Sequence, residues 1–204
     1  MKERTSEIYY ILTCYFLYMI KCKGGIKMKK ALLVIDVQNE YFSGKLKVTY
    51  PINSLNNILK VMDHAKKNNM VIILVQHTAA SGETFVKNSM EWEIHADILK
   101  KSYDYHIEKT KPSSFYKTNL EEILEKENIE GIVISGYMTQ MCCDTTAREA
   151  FHKDYSVEFL SDATGTIDVS NNVGTISSKD LHKATLITQS LRFSNVLSSQ
   201  EWMN

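Results

Sequence analysis

Proline and glycine are scarce in this chain of 204 residues, with only 2 and 8 occurrences. No Pro/Gly-rich stretch exists to act as a linker, so the length is read as one domain with a substantial core. Net charge is lacking too, because 24 Lys+Arg balance 24 Asp+Glu. Without a basic stripe or an acidic tail, a nucleic-acid partner and a disordered chain are both disfavoured. There are four cysteines, Cys14, Cys22, Cys142 and Cys143, with no CxxC or metal-finger spacing among them. Adjacent cysteines rarely pair with each other, so a reduced, cytoplasmic protein is expected. Nor is there an uninterrupted apolar run of the roughly 20 residues that a membrane-spanning helix needs.

The nearest approach to such a run is Ile8–Ile20 (IYYILTCYFLYMI), which follows Lys2 and Arg4. It is short and interrupted, and no A-x-A-like cleavage site follows it. Lys23–Lys27 (KGGIK) stands just before Met28. AAA-GGA-GGA-ATA-AAA is one permitted coding of that pentapeptide, and it would place a ribosome-binding sequence at normal spacing from an ATG. Residues 1–27 are therefore expected to be a translated leader or a disordered extension, with the domain spanning 28–204. A membrane-touching amino-terminal helix is the alternative.

From Met28 onward the pattern becomes regular. Aliphatic runs at Ala31–Ile35, Met70–Val75 and Ile132–Ser135 read as strands buried on both faces. Shorter strands are expected at His106–Lys109, Ser156–Leu160 and Phe193–Leu197. Helical periodicity marks Asn53–Asn69, Asn119–Lys126, Thr139–His152 and most of Asn171–Leu191, with Trp92–Leu99 a further candidate. Alternating strands and helices of this kind argue for a three-layer, doubly wound α/β domain. Its parallel sheet would have about six strands, with helices on both faces.

In such a sheet, sites form at the carboxyl ends of strands where the strand order reverses. Asp36 ends the first aliphatic run, Lys109 ends the short third strand, and Gly136 breaks the fourth before a polar segment carrying Cys142 and Cys143. A cysteine at a strand-to-helix turn sits among unpaired N–H groups at a positive helix end, which favours the nucleophilic thiolate. Each residue has a plainer reading: a capping carboxylate, a surface lysine, a small core hydrophobe. Residue type and position leave those readings open.

Three blocks taken together carry a resemblance. They are Ala31–Phe42 (ALLVIDVQNEYF), Lys109–Phe115 (KTKPSSF) and Gly136–Cys142 (GYMTQMC), followed by Thr145, Arg148 and Ala150. In this order and spacing the chain resembles the isochorismatase-like cysteine hydrolases, a superfamily that includes nicotinamidases and carbamoylsarcosine amidohydrolases. The likeness extends from about Lys29 to the carboxyl terminus. It implies an Asp36–Lys109–Cys142 triad, with Cys143 as packing and an oxyanion hole made by the backbone N–H groups of Met138 and Cys142. It also implies a cis peptide at Tyr137–Met138. The implied reaction is attack of the thiolate on an amide-type carbonyl, with Asp36 moving the proton and a thioester hydrolysed afterwards.

Gln38, Phe42, Trp92, Phe115, Tyr137 and Gln140 are the candidate substrate-binding residues. Nicotinamidases of this superfamily carry a D-x-H metal motif, and Val75–Ala79 (VQHTA) has no aspartate two places before His77. No metal and no other cofactor is therefore expected, with His77 and His95 read as structural. The enzymes that give the superfamily its name lack the nucleophilic cysteine, so Cys142 argues against vinyl-ether cleavage. The expected partners are a small amide and further copies of the chain, with neither nucleic acid nor membrane. The alternatives are a catalytically silent binding protein of the same fold and a metal-assisted nicotinamidase. A redox role for Cys142–Cys143 is disfavoured because vicinal cysteines close only a strained ring.

The coding argument makes a direct prediction: the protein purified from its native host starts at Met28. An intact mass that includes residues 1–27 would overturn it.

Overall fold

The strand Lys30–Ile35 (β1) is buried from Ala31 onward, and its residues alternate between two apolar clusters, one on each face of the sheet. Ala31, Leu33 and Ile35 point to one side, and Leu32 and Val34 to the other. A strand this apolar cannot present a face to water, so both sides must be covered. The computed structural model that shows this describes residues 28–204. The expected leader lies outside the described residues.

Helix Ser54–Lys67 (α1) carries Ile58, Val61, Met62 and Ala65 inward at helical spacing, against the Leu32 face. Strand Val71–His77 (β2) follows, then a short helix Ala96–Leu99 (α2) and strand Tyr105–Lys109 (β3). Helix Leu120–Lys126 (α3) leads into strand Gly131–Tyr137 (β4). A π-helical turn, Thr139–Cys143, runs directly into helix Asp144–His152 (α4). Leu120, Ile123, Leu124, Ala147 and Ala150 cover the Leu33 face. Strand Ser156–Gly165 (β5), a hairpin Val169–Asn171 (β6) and Gly174–Ile176 (β7), helix Ser178–Arg192 (α5), strand Asn195–Leu197 (β8) and helix Ser199–Met203 (α6) complete the order.

The main sheet has six strands in the order β3-β2-β1-β4-β5-β8, and every pairing in it is parallel. The expected three-layer α/β architecture is present. The chain winds outward from β1 in one direction and then restarts at β4 on the other side of β1. The switch point thus lies between the carboxyl ends of β1 and β4, where such sheets open a crevice. Among the described residues, no helix is long and apolar enough to cross a membrane.

Several expected elements need correction. Most of Asn171–Leu191 reads as helix, but the helix starts at Ser178, after the β6–β7 hairpin. Ser177 caps it by accepting the N–H of Asp180, a local S-x-x-D signal that stops helix from extending backward. Trp92–Leu99 is helical only over Ala96–Leu99, because the backbone before it is tied to another segment: Asn39 N–H donates to Glu93 O, and Glu40 N–H to Glu91 O. The helix expected over Thr139–His152 opens as a π turn.

Gly136 does not break its strand. β4 continues to Tyr137, with a register shift against β5 between Ile134 and Gly136. At Gly136 φ is +113°, and a Cβ there would sit 2.0 Å from Ile35 O. Glycine therefore lets β4 press against the end of β1 while turning toward the site.

This gives a comparison with a built-in control. Gly82 also has a positive φ, of +107°, but nothing lies within 4 Å of its missing Cβ. Gly82→Ala should lose only the backbone contribution of about 1–3 kcal/mol. Gly136→Ala should lose a further 1–3 kcal/mol, roughly, from overpacking. Urea midpoints of the two variants check this, and equal losses would show that the β1–β4 contact is not tight.

Candidate active site

β1 ends where Asp36 takes a left-handed conformation, φ 53°, which Asp tolerates better than most residues. The turn is pinned because Asp36 N–H donates to Val75 O and Gln38 N–H returns to Asp36 O, both at 2.8 Å. Asp36 is fully buried, so its carboxylate requires a partner.

That partner arrives from two strands away. In β3 the side chains alternate, and Ile107 and Lys109 are the buried ones. Lys109 therefore points into the core, only 1% exposed, at the carboxyl end of the strand. Its Nζ lies 2.7 Å from Asp36 Oδ2 and 3.2 Å from Cys142 Sγ. Three strand ends, remote in sequence, thus converge on one buried chain of acid, cation and sulfur.

The electrostatics differ from the simplest expectation. Burial pushes the Cys142 thiol well above its ordinary range, and the Asp36 carboxylate adds to this. Lys109 pulls the other way without prevailing. For Lys109, burial would lower the pKa, but the Asp36 carboxylate and Cys142 raise it above the usual lysine value. Burial and Asp36 thus favour the thiol form of Cys142, while Asp36 and Cys142 favour the charged form of Lys109. The second carboxylate oxygen, Asp36 Oδ1, is buried and has no hydrogen-bond partner among the described residues.

The segment after β4 turns sharply. The Tyr137–Met138 peptide is cis. Met138 O receives the N–H groups of Met141 and Cys143, which closes the turn. The N–H of Met138 itself donates to no group among the described residues. Thr139 is buried, with its hydroxyl 2.8 Å from His182 Nδ1, and Gln140 Oε1 accepts the Thr166 hydroxyl at 2.7 Å. Cys143 is fully buried among the α4 contacts, as a small packing residue.

The expected pocket residues divide. Phe42, Trp92 and Met138 are partly buried at the edge of one core cluster. The ring of Phe42 lies 4.4 Å from that of His95, and Trp92 Nε1 donates to Thr78 Oγ1 at 2.7 Å. Three others are corrected. Gln38 has no free amide for a substrate, since it accepts His77 N–H and donates to His77 O and Trp92 O. Tyr137 is fully buried, its hydroxyl 3.0 Å from that of Ser54. Phe115 is a core residue stacked near Tyr155. Gln140, held by Thr166, borders a groove of about 640 Å³ shared with Met138, Met141, Val169, Ile176 and Leu181.

His77 and His95 belong to no cluster, and no group of three or more His, Cys, Asp or Glu side chains among the described residues could hold a metal. Sequence reasoning passed over Tyr41. It is 4% exposed, and burial, then the charges of Cys142 and Asp36, raise its pKa. Its place five residues after Asp36 was the available signal. His182 was also missed, because its partner Thr139 lies 43 residues away.

With this geometry established, comparison with known proteins is informative. The isochorismatase domain model matches residues 30–201. Nicotinamidase 3 of Arabidopsis thaliana is 34% identical, over 80% of this chain and 81% of its own. A secreted isochorismatase effector of Verticillium dahliae is 33% identical, over 83% of this chain and 88% of its own. Among solved structures, a Burkholderia xenovorans protein assigned as an isochorismatase superposes with a TM-score of 0.84. It is 36% identical and covers 86% of each chain.

The two charged partners act on Cys142 with opposite sign, so their removal should too. Asp36→Asn deletes the group that raises the thiol and leaves Lys109 to pair with the thiolate, so labelling of Cys142 by iodoacetamide should shift to lower pH. Lys109→Ala should shift it to higher pH. Peptide mass spectrometry across a pH series measures both, and shifts of the same sign would refute this electrostatic reading.

Proposed function

The chain belongs to the isochorismatase family, and from that premise we propose that this hydrolase uses Cys142 to cleave the C–N bond of a small amide or ureide. The observation that carries the reading is the buried contact chain at the switch point, 2.7 Å from Asp36 to Lys109 and 3.2 Å from Lys109 to Cys142. A buried lysine between a carboxylate and a sulfur has little structural rationale, since an apolar trio of the same volume would pack without desolvating charge. As a reactive group it has a clear one.

In the proposed sequence the Cys142 proton passes to Asp36 as sulfur attacks the substrate carbonyl carbon. Lys109 balances the charge on sulfur, and the N–H groups of Met138 and Cys142 receive the oxyanion. The C–N bond then breaks, with Asp36 returning the proton to the leaving nitrogen. This leaves a thioester on Cys142 and releases ammonia or an amine. Water attacks the thioester, giving its proton to Asp36, and the acid departs as the C–S bond breaks. The sulfur then recovers the proton from Asp36. Over one cycle Asp36 passes the thiol proton to the departing nitrogen and later returns a proton taken from water to the sulfur.

Phe42 and Trp92 are the proposed walls for the acyl or ring part of the substrate. The identity with a nicotinamidase makes aromatic amides the first compounds to try.

The test is a panel of small amides and ureides, nicotinamide included, assayed for released ammonia. Cys142→Ala should abolish turnover and Cys143→Ala should lower it only modestly. Rapid quenching should reveal an acyl adduct on the Cys142 peptide, and exhaustive chelation should leave the rate unchanged. An adduct on Cys143, or activity lost on chelation and restored by zinc, would overturn the reading.

A further inference from the structure

Resting on the nucleophile assigned above, we propose that His182 is a positioning residue that fixes the oxyanion-binding turn through Thr139. His182 lies on α5, outside the strand ends that supply the triad, and is 3% exposed. Its Nε2 is 2.8 Å from Ser161 O, and its Nδ1 is 2.8 Å from Thr139 Oγ1. A backbone carbonyl only accepts, so Nε2 carries the hydrogen. In a neutral imidazole Nδ1 is then an acceptor, and the Thr139 hydroxyl must donate to it.

The two bonds select one tautomer and clamp the ring at both ends. The Tyr50 ring closes edge-on at 5.3 Å.

What the clamp holds is the residue that directly follows the first of the two proposed oxyanion donors. Thr139 follows Met138 directly and opens the π turn that contains Cys142. Its side chain is β-branched and fully buried, so fixing Oγ1 fixes the backbone on either side. Gln140, the next residue, is held by Thr166 at the end of β5. The turn is thus tethered to the β5 side by two side-chain bonds, neither of which touches the sulfur. A donor that must meet an oxyanion at about 2.7–3.1 Å needs such support. If packing alone were required, an apolar side chain would fill the site of His182 without burying two ring nitrogens.

The test separates aim from thiol reactivity. p-Nitrophenyl acetate acylates a cysteine through an oxyanion, whereas iodoacetamide alkylates it by displacement without one. His182→Leu should slow acylation of Cys142 at saturating ester by roughly 10–100-fold, with the half-saturating concentration little changed, as expected for donors misplaced by an ångström or less. Its iodoacetamide rate should stay within about twofold of wild type, because Asp36 and Lys109 set the thiol.

His182→Asn keeps an acceptor near Nδ1 and should recover most of the acylation rate. His182→Gln, which reaches only toward Ser161, should not. Thr139→Val should match His182→Leu, and the double variant should be no worse than either single one. If His182→Leu does not fold, Thr139→Ser against Thr139→Val carries the same test, with Ser near wild type.

Wild-type acylation in His182→Leu, recovery by Gln and not by Asn, or equal falls in both chemistries would overturn the proposal. A failure of the underlying reading looks different: Cys142→Ala would then acylate as fast as wild type.

Discussion

The buried ion pair between Lys109 and Asp36 is the constraint on which the other features depend. Both side chains are withdrawn from water, a cost that is repaid only with good geometry and further hydrogen bonds. Removing either partner leaves a lone charge in the core and is expected to cost about 3–5 kcal/mol. The pair therefore dictates where β1 and β3 must end and how Asp36 must turn. Lys109, engaged by Asp36, lowers the pKa of Cys142 less than burial raises it.

The fold makes that arrangement possible at small cost in chain length. β1 and β4 are neighbours at the centre of the sheet and stay paired up to Ile35 and Gly136, at the switch point. Gly136 allows that close contact, and the chain then turns through Met138–Cys143 to bring the sulfur to Lys109. Lys109 belongs to the edge strand β3, and its long side chain spans the distance that β2 imposes.

A second set of bonds shapes the rim. Gln38 and Gln76 both donate to Trp92 O, and Trp92 Nε1 donates to Thr78. Thr78 in turn donates to Glu108 Oε1, which Lys87 also engages. The irregular segment between β2 and α2 is therefore held to the sheet by these side chains together with backbone bonds such as Asn39 N–H to Glu93 O and His95 N–H to Val37 O. A loop built this way can change its exposed residues without moving the triad, which fits a family whose members differ in substrate. The deep polar residues Gln38 and Gln76 act as fasteners, and Phe42 and Trp92 are what they present.

Continuous aliphatic runs such as Ala31–Ile35 and Ile132–Ser135 determined by themselves that a parallel sheet would be buried on both faces. Burial of such runs is a property of composition and needs no partner to be known. Periodicity placed Asp36 and Lys109 at strand ends and Cys142 in the turn after the fourth strand. Their grouping came from the resemblance, because residue type and position alone fit plainer roles. The hairpin at Val169–Ile176 was not, since its two short strands pair only with each other and their residues also fit a helical period. The turn Met138–Cys143 was legible only in part: its residues are local, but its contacts to His182 and Thr166, and those of His182 to Ser161, come from distant segments. The tertiary structure alone decided that Gln38, Tyr41, Tyr137 and Phe115 are internal. It also decided that the Cys142 pKa is raised, because its burial and its neighbours are set by packing, which no single stretch of sequence encodes.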